Sequence, residues 1–273
     1  MFQNVGRKFK YHKQDIRGKM SHEAKNPIKS TKTTFRIIEA LMELDGSGVT
    51  ELADHLNLPK SNVHNYLSTL EEEEYVVKNE STFHVGIRFL ELGAHARSRR
   101  DLYRIARPEM HKLADETGEL VNLLVEEHGR GTYIYRVAGD NAVRVDAHTG
   151  TRVQLHCTAL GKAILAYLPE RRVNEIVDRH GLPKITENTV TDREELREGL
   201  SEVRERGVAF DMEERLKGLQ CAAAPVRGNT GRVLGAVSIS GPTTRVSGSR
   251  LEEDVPLLLK QATNIIELNV TYS

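Results

Sequence analysis

Cysteine is nearly absent. Cys157 and Cys221 are the only two in 273 residues, too few for a disulfide framework or a cysteine-rich zinc cluster. No apolar run reaches the roughly 18 residues that a membrane span needs, and no secretory leader pattern opens the chain. A cytoplasmic location without a membrane partner is the expectation. Net charge is missing as well: Lys+Arg and Asp+Glu both number 39, so whole-chain charge points to no partner. Repeats and low-complexity tracts are absent. Gly161-Lys162 is no phosphate loop, because His156 stands where the leading glycine belongs and Ala163 where Ser or Thr belongs. The histidines show no metal-ligand spacing, so no metal and no cofactor is expected.

What is present becomes informative once the chain is divided. It is long enough for two domains with separate cores. Residues 1–30 hold eight basic groups against Asp15 and Glu23, a net charge of +6. They lack a lasting apolar period and read as a disordered basic arm. Met20 opens MSHEAKNPIKS as an alternative start, so no function is assigned to residues 1–19. Residues 31–95 carry a net charge of −6, yet no acid lies between Leu56 and Leu70.

That acid-free stretch sits inside the most structured signal of the sequence, VTELADHLNLPKSNVHNYLSTLEEEEYVV at 49–77. Leu52, Ala53 and Leu56 share one helical face, with Thr50 placed to cap it. Asn57-Leu58-Pro59 breaks the pattern, and proline suits the start of a new helix. Val63, Leu67 and Leu70 then form the apolar side of a second helix. Its other face carries Lys60, Ser61, Asn62, His64, Asn65 and Ser68. Amide, hydroxyl and imidazole groups on a helix of this width are what major-groove readout requires, although a solvated helical hairpin would show the same periodicity. A preceding helix over 33–44, then strand, turn and strand over 75–85, complete a winged helix-turn-helix. Phosphate anchoring falls to Lys32, Lys60 and Arg36, with the arm or wing. Residues 86–100 read as a linker helix and a dimer contact.

From Asp101 the pattern becomes α+β. A helix over 101–117 is expected to kink or break at Pro108. Strands are expected over 119–126, 132–138, 141–147, 208–211, 219–226 and 232–240, and helices over 158–168, 170–180, 192–206 and 250–268. Strands in hairpins flanked by helices imply an antiparallel sheet.

The chain resembles the IclR family of transcriptional regulators from about Ser30 to about Leu268. The likeness rests on the 49–77 stretch, then FHVGIRFLELG (83–93), ARPEMHKLADETGE (106–119), GTRVQLHCTALGKAILAYLP (150–169), VRERGVAFDMEERLKGLQCAAAPVR (203–227) and GAVSISGPTTR (235–245). It implies a DNA-binding winged helix-turn-helix over 31–85, a linker helix over 86–100 and a GAF-like effector-binding domain over 101–273. It also implies homodimers, often homotetramers built as pairs of dimers, on partly palindromic double-stranded operators. The positions matching known family ligand contacts are Ala159, Leu160, Gly161, Asp211, Cys221, Ser238 and Ser240. The residues agree: Thr158 can cap the helix that begins at Ala159, leaving the N–H groups of Leu160 and Gly161 to favour a small carboxylate. Ser238 and Ser240 lie two apart on a strand and so share a face. A compact organic acid is the expected effector. One departure matters: family recognition helices commonly carry Thr and Arg where this chain has Asn62 and Asn65. Asparagine suits adenine rather than guanine, so relatives' operators do not carry over.

The competing reading is a cysteine-dependent enzyme on a GAF-like domain with a vestigial DNA-binding domain. It fits poorly. His156 and Cys157 are strand neighbours on opposite faces, and Asp211 near Cys221 would raise the thiol pKa, the wrong direction for a nucleophile. No catalytic residue is assigned.

Overall fold

Residues 24–145 and 147–272 are described by the computed structural model of the chain. They fall into two compact units, one ending at His95 and the other starting at Ala96. Most of the expected basic arm (1–23) lies outside the described residues.

In the first unit, helix α1 spans Lys29–Glu43 and buries Ile37, Ile38, Ala40 and Leu41. It starts earlier than the apolar stripe indicates, because Lys29 and Ser30 form a first turn without burying anything. Helix α2 spans Val49–Leu56 and α3 spans Lys60–Glu72, burying Val63, Leu67 and Leu70. Asn57 ends α2 in the left-handed conformation, which asparagine tolerates better than most residues. Thr50 does not cap α2. It lies inside the helix, the capping position is Gly48, and the Ser47 hydroxyl donates instead to Glu51 Oε2 at 2.9 Å. Strands β1 (Val76–Asn79) and β2 (Thr82–Val85) form the wing, paired from Val76↔Val85 to Asn79↔Thr82. Ser47 ties the wing to the helices by exchanging backbone bonds with Phe83, at 3.0 and 2.9 Å. Helix α4 spans Phe89–Ser98 and buries none of its residues.

The second unit opens with α5, Asp101–Thr117. It runs unbroken through Pro108, contrary to the expected kink or break. Pro108 lies on the exposed side, where the carbonyl it leaves unbonded can face water. Gly118 stops the helix at φ 70°. The sheet follows: β3 (Leu120–Glu127), β4 (Arg130–Ala138), β5 (Arg152–Val153), β6 (Ala209–Met212), β7 (Leu219–Arg227) and β8 (Val233–Pro242), in the order β5-β4-β3-β8-β7-β6. All neighbours are antiparallel. The strand expected over 141–147 is not formed by its described residues. Val143, Val145 and Ala147 do alternate into the core, which mimics a strand, but the edge of β4 is taken by Arg152 and Val153.

Strand alternation gives the sheet two different faces. Val121, Leu123, Ala222, Ala224, Val237 and Ile239 meet α5 and helix α9 (Val255–Thr271) in one core. A π-helical turn at Arg250–Asp254 leads into α9. The other face, with Leu124, Cys221, Ala223 and Ala236, meets α6 (Ala159–Leu165), α7 (Glu170–His180) and α8 (Arg193–Arg206). Asn122, Ser238 and Ser240 occupy that same second face, because they fall between residues of the first core along their strands.

Candidate functional site

A polar layer interrupts the apolar second face. In one cross-strand row Asp211 pairs with Cys221, Cys221 with Ser240, and Ser240 with Leu120. In the next row Ser238 pairs with Asn122 and Asn122 with Arg136. These residues, with Tyr133, Val145, Thr158, Ala159, Leu160, Arg215 and Leu219, line a narrow cavity of about 350 Å³ of empty space. That figure includes space open to solvent; the enclosed part, about 20 Å³, has room for little more than a water molecule, so a larger ligand must move the side chains that line it.

Six of the seven residues expected around an effector meet here: Ala159, Leu160, Asp211, Cys221, Ser238 and Ser240. Gly161 does not line the cavity. Thr158 caps α6 as expected, but its Oγ1 accepts the N–H of Gly161 at 2.9 Å, so that donor is already satisfied. A Cβ at Gly161 would stand 2.1 Å from the carbonyl oxygen of Leu155. Glycine is there to let the helix pass over the Leu155 backbone, and the helix end contributes less to anion binding than the sequence indicates.

The cationic groups come from residues that the sequence reading missed. Arg136 Nε donates to Asn122 Oδ1 at 2.8 Å, and the Asn122 amide donates to both Ser238 Oγ and Ser240 Oγ at 3.2 Å. Arg215 Nη1 donates to the Tyr133 hydroxyl at 3.1 Å. Burial, and then the like charge of Arg215, hold Arg136 below the ordinary guanidinium value, while burial raises the Tyr133 phenol. Alternation from Tyr133 along β4 gave no usable signal, because a bulge between Leu123 and Leu124 shifts its register against β3. Arg215 lies in a loop, where periodicity says nothing.

Acidic groups lie beside them. Asp211 is buried, and burial first, then Glu214, push its carboxyl up to about 7, with Lys162 opposing. It accepts the backbone N–H of Glu214 at 2.7 Å. Glu214 is itself buried and forms an ion pair with Lys162. The Thr189 hydroxyl donates to the Glu214 carbonyl at 2.7 Å and that of Thr186 to the Glu213 carbonyl at 2.8 Å, which fixes the loop that carries Arg215.

Neither thiol is activated. Burial, then Asp211, raise Cys221 far above its ordinary value. The same two causes push Cys157 up to about 12. His156 Nε2 donates to the Pro183 carbonyl at 3.1 Å, and burial lowers its pKa. The cysteine-enzyme reading therefore has no thiolate to work with. Among the described residues no cluster of His, Cys, Asp or Glu is arranged to hold a metal, and no helix is long and apolar enough to cross a membrane.

In the first unit, Lys32, Lys60, Ser61, Asn62, His64 and Asn65 are all exposed, whereas Val63 and Leu67 face the core. His64 shares a groove with Thr50 at one side and Lys78 and Ser81 of the wing at the other. Glu51 and Asp54 also line it and oppose phosphate there. Arg36, expected to anchor phosphate, is half-buried and donates to the Leu56 carbonyl at 3.1 Å. It closes the end of α2 instead. Arg88 is likewise engaged, with the Glu73 carbonyl and 4.8 Å over the Tyr75 ring.

Both units match known proteins. The family model of the IclR helix-turn-helix domain matches residues 31–80. That of the bacterial transcriptional regulator IclR C-terminal domain matches residues 94–267. The probable HTH-type transcriptional regulator ArcR of Halobacterium salinarum is 34% identical over 247 residues, 89% of this chain and 94% of its own. The transcriptional repressor IclR of Escherichia coli is 31% identical over 247 residues, 89% of this chain and 90% of its own. The crystal structure of the Thermotoga maritima IclR aligns with TM-score 0.74 and 29% identity, over 89% of this chain and 99% of that one. An IclR homolog from Microbacterium hydrocarbonoxydans, complexed with 4-hydroxybenzoate, shares the fold with TM-score 0.73 and 23% identity, over 88% of this chain and 100% of that one. Since these relatives are regulators and repressors rather than enzymes, and both halves of the fold are represented, the chain belongs to the IclR family of DNA-binding transcriptional regulators with a C-terminal effector domain.

Proposed function

We propose that this regulator senses a small organic acid in the cavity of its second unit, and that occupancy alters how its winged domains engage an operator. The observation that carries this reading is the pairing of Arg136 and Arg215 with the polar floor of Asn122, Ser238 and Ser240. Guanidinium groups recognise carboxylates through two parallel hydrogen bonds, and the hydroxyls can orient an oxo or hydroxy substituent. Asp211, Cys221 and the α6 residues Ala159 and Leu160 close the remaining walls. Gly161 acts through the backbone it packs on rather than by contact. The 4-hydroxybenzoate held by a protein of the same fold is an acid of this compact kind.

On the DNA side, Ser61, Asn62, His64 and Asn65 read base edges, while Lys60 and Lys32 contact phosphates. The protein works as a homodimer, and pairs of dimers form tetramers. Ile87, Leu90 and Leu92, at 83, 72 and 52% exposure, supply an apolar surface for a second copy. Effector and operator then bias the same population of arrangements, so DNA changes acid affinity by the factor by which acid changes DNA affinity.

Genome-wide occupancy of the tagged protein, in cells grown on several carbon sources, tests this directly. A few sharp sites sharing a partial palindrome, with occupancy or output changing on one source, are expected. Occupancy without sequence preference on every source would overturn the reading.

A further inference from the structure

We infer that the acid recognised by this cavity is a short dicarboxylate, one carrying two negative groups rather than one. The inference rests on the organic-acid reading above and deepens it. Two buried-side cations share one aromatic ring. The Arg136 guanidinium carbon lies 5.5 Å and that of Arg215 5.6 Å from the centroid of Tyr133. Each donates a side-chain hydrogen bond to a neutral oxygen, Arg136 to the Asn122 amide and Arg215 to the Tyr133 hydroxyl. A guanidinium has five N–H donors, so both retain most of their capacity. Among the described residues, no carboxylate lies within ion-pair distance of either.

The surrounding cations are treated differently. Lys162, a few residues along from the cavity wall, is neutralised by Glu214. Arg245, at the end of the same sheet, makes a two-pronged pair with buried Glu119, both bonds at 2.9 Å. Arg172 pairs with Glu126 at 2.8 Å. These three cations each have an acid of their own, whereas Arg97 and Arg179, both half-buried, each carry an Nε with no hydrogen-bond partner. Among the described residues Arg136 and Arg215 have none, and their mutual repulsion is a cost that an incoming molecule can remove. One carboxylate leaves a positive charge in a partly desolvated site. Two carboxylates neutralise both, and the narrow space restricts the carbon frame between them. Asp211 does not take this role: its backbone partners orient it toward Glu214 and Arg215 N–H groups, and near neutral pH burial keeps it only partly ionised.

Calorimetric titration of the full-length protein at fixed ionic strength tests the inference. The probes are malonate, succinate and glutarate, against acetate, propionate and butyrate, with succinamide and inorganic phosphate as controls. At least one dicarboxylate should bind about tenfold or more tightly than its one-charge counterpart. Arg136→Gln and Arg215→Gln should each erase that advantage, so that dicarboxylates and monocarboxylates bind each variant within about threefold of one another. Asn122→Asp, which supplies Arg136 with an internal carboxylate without removing a side chain, should do the same and keeps the test independent of folding defects. Monocarboxylates binding as tightly as dicarboxylates would overturn this inference and leave the organic-acid reading standing. Succinamide binding as well as succinate would overturn both. Binding of phosphate alone, or of no acid in the panel, would overturn the dicarboxylate assignment.

Discussion

Arg136 decides which way the Asn122 side chain faces. Its Nε donates to Asn122 Oδ1 at 2.8 Å, and because an arginine can only donate, the amide oxygen must point to it. The NH2 group is then turned toward Ser238 and Ser240, at 3.2 Å from each hydroxyl oxygen. Both hydroxyls accept from Asn122, and Ser240 also shares a hydrogen bond with the Cys221 thiol. Replacing Asn122 by Leu keeps the branched shape but leaves three polar partners short of a bond. It should lower stability by about 2 kcal/mol, seen as a fall in Tm, whereas Asn122→Asp should lower it much less. Equal losses for the two variants would mean that packing, and not the hydrogen-bond relay, sets the effect.

Gly161 should tolerate no side chain. An added Cβ would meet the Leu155 carbonyl oxygen at 2.1 Å and Leu155 Cα at 2.4 Å, and neither is a flexible group that can move aside. Gly161→Ala is therefore expected to lose on the order of 3 kcal/mol or more, despite alanine's better helix propensity. Thermal unfolding of the variant checks this. A variant as stable as the parent would restore Gly161 as a ligand-facing residue.

The sequence exposes some parts of this site and hides others for physical reasons. Ser238 and Ser240 are legible because strand alternation puts residues two apart on one face, and Thr158 because capping residues announce a helix start. The winged unit is legible because Val63, Leu67 and Leu70 keep a helical period next to a proline break. Arg136 is hidden by a bulge in the β3–β4 pairing, Arg215 by its position in a loop. Asn122 is hidden because a single polar residue within LVNLLVEE does not disturb the apolar reading of that strand. Val143 and Val145 mislead because a segment can bury alternate side chains without joining a ladder.

Asp211 makes stability depend on pH. Its carboxyl is raised from 3.8 to about 7 in the fold. Between those values the folded chain holds a proton that the unfolded chain releases. Stability therefore falls as pH rises through this window, and the full cost is present above it. A shift of this size corresponds to roughly 4 kcal/mol. Asp211→Asn should flatten the pH dependence between about pH 4 and 7 and be more stable than the parent above that window. Denaturant unfolding at a series of pH values measures it, and an unchanged slope in the variant would assign the dependence to another group.

Both thiols should resist alkylation in the folded protein. Cys157 and Cys221 are buried, and burial raises both above their ordinary values, so neither the accessible surface nor the thiolate is supplied. Mass spectrometry after iodoacetamide treatment at about pH 8 should find neither labelled until denaturant is added. Rapid labelling of Cys221 under native conditions would revive the thiol-chemistry alternative. Cys221→Ala should retain operator binding.

The two asparagines of α3 and its leading lysine should fail in different ways. Asn62 and Asn65 can each make paired bonds to an adenine edge, so Asn62→Ala and Asn65→Ala should cost about 1–3 kcal/mol at one base position and relax specificity there. The dependence of affinity on salt should stay unchanged, since no phosphate contact is lost. Lys60→Ala removes a charge instead. It should weaken binding on every sequence and reduce the slope of log affinity against log salt by about 1. Fluorescence anisotropy on the operator recovered from occupancy data, and on a scrambled duplex, separates the cases. If Asn65→Ala weakens both duplexes equally, Asn65 touches backbone rather than bases. The acidic surroundings of α3 would then leave sequence reading to Asn62, Ser61 and His64.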